Sequence, residues 1–164
     1  LYGAKVPMTA WSLPAIRQPQ RGDVIVFKYP ENPRKDFIKR VIGLPGEKLE
    51  IKDKVVYIND RPIDESYVRF SDETIKPRAW NNRNIYPPGA GNKDNYGPIT
   101  IPSGHLFMMG DNRDNSDDSR FWGFLDEGLI KGKAILIYWS WDQTKKLLGF
   151  FPEPRLNRIG DLIR

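Results

Sequence analysis

Lys39 stands inside the run Phe37-Ile38-Lys39-Arg40-Val41-Ile42. In an extended strand its side chain shares a face with Phe37 and Val41, while Arg40 points the other way. An ammonium among apolar neighbours loses hydration, which favours the neutral amine and lets it accept a proton near neutral pH. An edge-strand lysine whose stem lies on apolar surface and whose charge stays in water fits the same six residues. The loop Gly110-Asp111-Asn112-Arg113-Asp114-Asn115-Ser116-Asp117-Asp118-Ser119-Arg120 holds four carboxylates, two guanidiniums, two hydroxyls and two amides. Arginine forks on carboxylates could lock such a segment into a rigid network. A solvated turn is the alternative. A calcium loop is another, weakened by Arg113 and Arg120 and by the lack of a closing glutamate. The aromatic clusters Phe121-Trp122 with Phe124, Tyr138 to Trp141, and Phe150-Phe151 suit a core by default. Alternation would put Trp139 and Trp141 on one face, and amphipathic rings also suit a lipid surface.

These residues need a frame, and the frame reads as mainly β. Gly22-Asp23 leads into Val24 to Tyr29, a short apolar run stopped by Pro30. A turn over Pro30 to Pro33 returns the chain to Phe37–Ile42, and Gly43-Leu44-Pro45-Gly46 reverses it again. Leu49, Ile51, Val55 and Tyr57 alternate with charged residues, the period of an antiparallel hairpin with Asp53-Lys54 at its tip. From Asp64 to Pro98 apolar residues are sparse and turn formers dense, so few strands are expected there. Ile99 to Ile101, His105 to Met109, Phe121 to Leu125 and Ala134 to Trp141 supply further apolar segments, and Arg155 to Arg164 has helix-like spacing. The expected fold is folded antiparallel sheets or a partly open β-barrel with very little helix. The core fold would comprise residues 1–47 and 103–164, with 2–19 as an extended ribbon and 48–102 as a smaller inserted β-rich lobe.

Composition narrows the chemistry. The 164 residues carry 26 Lys plus Arg against 21 Asp plus Glu, a net +5, with no cysteine and one histidine. Disulfides, thiolate catalysis and cysteine-ligated zinc are excluded, and a histidine-dependent triad or multi-histidine metal site is disfavoured. The longest apolar-rich run, Ala134 to Trp141, is far shorter than the roughly 20 residues of a membrane-spanning helix. No secretory leader is visible at Leu1. Charges of both signs are interspersed and the aromatics are not spaced among Lys and Arg, so a basic nucleic-acid-binding barrel ranks last.

Taken together, three ordered blocks resemble type I signal peptidase, the bacterial leader peptidase family. They are Gly22 to Pro30, Phe37 to Gly46, and Gly110 to Arg120 with Trp122-Gly123. The resemblance implies a Ser–Lys endopeptidase that removes signal peptides from exported proteins at the outer face of a bacterial cytoplasmic membrane, with exposed aromatics touching the membrane surface. By position, Lys39 is the general base and Ser116 the serine that orients it. Asp111, Arg113, Asp118 and Arg120 hold the loop rigid, with Asp118 and Arg120 expected to form an ion pair. The substrate adds as a strand against the backbone of Asp36, Phe37 and Ile38, and small side chains at the first and third positions before the cut enter shallow pockets lined by Val26 and Ile38. No metal or organic cofactor is needed, since an amine supplies the base and N–H and hydroxyl groups supply the oxyanion site.

One block of that family is not found. Its nucleophile lies in a Ser-Met-x-Pro-Thr segment farther upstream of the lysine than Leu1, and Ser12-Leu13-Pro14 mimics that segment only superficially. The serine and membrane anchor are therefore expected upstream of Leu1, and these 164 residues alone are expected to be inactive. A non-catalytic relative that binds extended peptides is the other reading.

Overall fold

The computed structural model describes residues 18–78 and 84–134 in full, and the backbone alone of Trp141–Leu147 and Phe151–Pro154. Of the expected segments, 2–19 but for its last two residues, most of Ala134 to Trp141, and the tail from Arg155 lie outside the described residues. So do the side chains of the aromatic clusters at 138–141 and 150–151.

Nine strands carry the described core: β1 (Val24–Tyr29), β2 (Asn32–Gly43), β3 (Lys48–Lys52), β4 (Val55–Ile58), β5 (Arg61–Pro62), β6 (Tyr96–Thr100), β7 (His105–Met109), β8 (Leu125–Asp126) and β9 (Ile130–Lys133). The only α-helix among the described residues, α1 (Ser119–Trp122), is one turn long. A two-stranded ribbon, β10 (Trp141–Leu147) with β11 (Phe151–Pro154), follows. The strands form a five-stranded sheet in the order β8-β7-β2-β1-β9 and a four-stranded sheet in the order β5-β4-β3-β6, antiparallel throughout. The mainly β architecture expected from sequence is the one found.

Local chemistry sets the elements. Asp53 and Lys54 take φ of 48° and 70°, so the β3–β4 hairpin turns through two left-handed residues, the geometry whose twist matches the flanking strands. Asn59 and Asp60, with φ of 50° and 65°, repeat it between β4 and β5. Strand β2 runs well upstream of the apolar stretch that signals it, because its charged half, Arg34 to Asp36, is held by the β1 hairpin; Lys28 pairs in register with Asp36. Phe121-Trp122, read as part of an apolar segment, instead close α1. The Asp118 carboxylate caps this helix by accepting from Arg120 N at 3.2 Å.

The five-stranded sheet is buried on both faces, which explains why β7 is a continuous apolar run. On one face Ile42, Phe107 and Met109 pack with Leu49, Ile51, Val56, Ile58 and Tyr96 of the four-stranded sheet. On the other, Ile25, Phe27, Val41, Leu106 and Met108 pack with Trp122 and Leu125. The single α-helical turn thus closes the core on the second face.

Candidate active site

Lys39 lies on that second face. Its cross-strand partner is Ile25, fully buried, and its same-face neighbours are Phe37 and Val41. The amine sits 5.6 Å from the centre of the Phe37 ring and donates to Ser116 Oγ at 2.9 Å. Burial holds the Lys39 pKa below that of a free lysine, opposed by the nearby carboxylates of Asp118 and Asp117 and helped by the charge of Arg120. Ser116 comes from a loop 77 residues further along the chain. Gly110 is what lets it approach: a Cβ there would overlap the Ser116 hydroxyl.

Arg40, one residue on, points to the opposite face. Its guanidinium grips Asp111 with two bonds, Nε to Oδ1 at 2.9 Å and Nη2 to Oδ2 at 2.8 Å, donates to Gly22 O at 2.8 Å, and lies 3.9 Å over the Tyr67 ring. Burial opposes its charge, but the bonds to Asp111 prevail and raise its pKa. The strand therefore carries the loop from beneath, through Arg40–Asp111, and meets its serine from above, through Lys39.

The rest of the loop is a closed network. Asp118 and Arg120 are 0% and 2% exposed and form a bidentate pair, Nε to Oδ1 at 2.9 Å and Nη2 to Oδ2 at 2.8 Å. Arg120 also donates to Arg113 O at 2.7 Å and Lys93 O at 3.1 Å. Arg113 donates from Nη1 and Nη2 to the two oxygens of Glu65 at 2.9 and 2.6 Å and from Nε to Gly110 O at 3.2 Å. Asp114 binds Lys93 at 2.9 Å and the backbone N–H groups of Ser71 and Asp72 at 2.8 and 2.9 Å. Three of the loop's carboxylates are thus taken by arginine or lysine, and no cluster of potential metal ligands occurs among the described residues.

The residues expected to bind substrate fall on β1 and β2. Val26 and Ile38 are cross-strand partners on the face opposite Lys39, with Ile38 52% exposed. Asp36 is exposed and bonded by Lys131 Nζ at 2.6 Å; Phe37 is half-buried and stacks on Tyr29 at 4.2 Å between ring centres. Strand β7 joins β2 only from Arg40 onward, so the edge of β2 before Lys39 has no partner strand among the described residues. Residues 65–72 and Lys93, which brace the loop, drew no attention in the sequence. Their only signal is turn-rich polarity, shared with any surface loop. Trp122, 9% exposed, and the partly buried Phe121 and Phe124 pack in the core.

Sequence and fold both have counterparts among known proteins. Residues 4–139 match the family described as signal peptidase, peptidase S26. The signal peptidase I of Pseudomonas fluorescens is 32% identical over 187 residues, covering 99% of this chain and 61% of that protein. That of Pseudomonas aeruginosa is 33% identical with the same coverage. The crystal structure of a signal peptidase I from Enterococcus faecalis V583 superposes with a TM-score of 0.54 at 31% identity, covering 73% of this chain and 99% of that one. The chain belongs to the signal peptidase family, peptidase S26. It spans 61% of the length of the two Pseudomonas relatives.

Proposed function

We propose that this chain is the catalytic portion of a type I signal peptidase, cutting leader peptides from exported proteins by a Ser–Lys dyad at the outer face of a bacterial cytoplasmic membrane. The observation that carries the reading is the desolvated Lys39 amine, 2.9 Å from Ser116 Oγ at the end of an unpartnered strand edge. Ser116 accepts one N–H of the amine and thereby aims its lone pair away from the loop, toward the place where a nucleophile would stand. The nucleophile in this reading is a serine on a segment outside the described residues.

In the acylation step the neutral Lys39 amine takes the hydroxyl proton as the serine oxygen attacks the scissile carbonyl. The resulting ammonium gives that proton to the departing amine of the mature protein. Lys39, neutral again, then deprotonates the water that hydrolyses the ester. Asp111, Arg113, Asp118 and Arg120 position Ser116 and touch no reacting atom. The leader lies against Asp36, Phe37 and Ile38 as an added strand, with its small side chains toward Val26 and Ile38. Residues 48–102 act as an inserted lobe in this reading. Glu65, Lys93 and the backbone of residues 71–72 brace the loop from that side.

The test is cleavage of a preprotein ending in Ala-x-Ala by the chain that also carries the family's serine block. Lys39→Met should lower turnover by at least about 10³-fold, at the scale of a positioned general base and beyond, with an unchanged circular dichroism spectrum. Retained turnover in that variant would remove the mechanism. A chain that binds the leader without cutting it would favour the non-catalytic reading.

A further inference from the structure

Beside Ser116, on the Lys39 face of the sheet, a pocket of about 550 Å³ opens between the polar loop and the β1–β2 hairpin. Tyr29, Phe121 and Trp122 give it aromatic walls, and Glu31 and Asp117 give it charge. The Tyr29 hydroxyl donates to Glu31 Oε2 at 2.5 Å, while Asp117 faces the same phenol. The phenolic proton goes to Glu31, and neither Glu31 nor Asp117 is in an ion pair with a lysine or arginine among the described residues. The Trp122 ring is 9% exposed, and its buried Nε1–H has no acceptor among the described residues. Two carboxylates outside ion-pair distance of any lysine or arginine among the described residues, set beside aromatic faces, suit a ligand that carries a positive charge. A lysine or arginine side chain of a bound peptide carries one.

We propose that this pocket is a side-chain subsite for a basic residue of the bound leader, at the second position before the cut. The inference rests on the peptidase reading above, and the register follows from the sheet. If the leader extends β2 along Asp36 to Ile38, its side chains alternate between faces. Small residues at the first and third positions point to the Val26 and Ile38 face. The second then points to the face of Phe37, on which Tyr29 is stacked at 4.2 Å, with Trp122 edge-on to Tyr29 at 6.2 Å. The small residues are selected by size on one face and the intervening residue by charge on the other.

The experiment compares leader peptides ending Ala-Lys-Ala, Ala-Ala-Ala and Ala-Glu-Ala, by direct binding and by kcat/KM, with the chain that carries the serine block. Lysine should be preferred over glutamate by roughly tenfold, the product of an attraction and a repulsion of about threefold each, within the range for exposed charges, and the preference should shrink in high salt. Glu31→Gln and Asp117→Asn should each reduce the lysine-to-glutamate ratio. Glu31 is exposed, so its variant tests charge with little risk to folding. Cleavage of all three peptides at equal efficiency, or a ratio unmoved by both variants, overturns the subsite and leaves the peptidase standing. Charge-selective binding that follows Glu31 without any cleavage keeps the subsite and removes the peptidase.

Discussion

Lys39 and Arg40 are consecutive cations on one strand, both drawn out of water, yet the sheet places them in opposite electrostatic situations. Arg40 meets a carboxylate in a two-bond fork and an aromatic face, and its charge is fixed. Lys39 meets a hydroxyl, a phenyl ring and a fully buried isoleucine, and the carboxylates closest to it are bonded to or facing other groups. Burial pushes both toward neutrality, and what differs is whether a carboxylate comes within bonding distance. A buried cation with a partner is a strut; in the proposed reading, one denied a partner is a base.

The Asp118–Arg120 pair enforces that denial: Asp118 is the strongest carboxylate attraction for a proton on Lys39, and its oxygens are held by Arg120. Arg120→Ala should therefore have the largest effect on the contrast. It should cost about 3–5 kcal/mol of stability, the penalty for leaving a buried carboxylate unpaired, measured by urea denaturation. A loss below about 1 kcal/mol would mean that the network is not the frame. Next comes Ser116→Ala, which should lower kcat/KM by about 10²-fold through misplacement of the amine while stability and leader affinity change little. Equal activity to the parent would reduce the loop to scaffolding. Asp111→Asn reverses the pattern. Removing the partner of Arg40 should cost about 2 kcal/mol, less than for a fully buried pair because the Asp111 side chain is 42% exposed, and kcat/KM should fall less than in Ser116→Ala. If Asp111→Asn hurt rate more than stability, the division between strut and base would be wrong.

The smallest effect is a displaced pH profile. The Lys39 pKa lies below that of a free lysine, so activity should rise with pH on an acidic limb set by that lowered value, as protonated amine gives way to neutral. Asp117 favours the charged form, and Asp117→Asn should move the limb to lower pH. Movement to higher pH would contradict the sign. The same shift bears on stability. Below the folded-state pKa, Lys39 is charged in both states. Between that value and the unfolded lysine pKa, the unfolded chain binds the extra proton, so stability rises with pH across that window.

Much of the frame was legible because alternation and turn chemistry are local. Val24 to Tyr29, the Asp53-Lys54 hairpin tip and the opposition of Lys39 to Arg40 across the sheet follow from period-two patterning alone. The charged half of β2 was not legible, since Pro33, Arg34 and Lys35 are poor strand residues and are ordered by their partner strand. Nor was the one-turn helix, whose two aromatics look like any apolar run and whose cap is a buried aspartate. Individual residues suggested that Lys39 and the 110–120 loop could do chemistry. Nothing in composition or spacing could say that they meet, because the contact spans 77 residues. The bracing partners Glu65 and Lys93 are still less visible, since a lone charge in a turn-rich segment carries no mark of the arginine or aspartate it will find.

The edge of β2 before Lys39, without a partner strand among the described residues, would also accept a neighbouring copy of the same chain, were it unguarded. At its outer end Pro33 offers no N–H, and Arg34 and Lys35 place two positive charges side by side. Only the short stretch next to Lys39 is left inviting. In the proposed reading, an edge open to an extended leader is thus poorly suited at its outer end to pairing with a second copy of the chain.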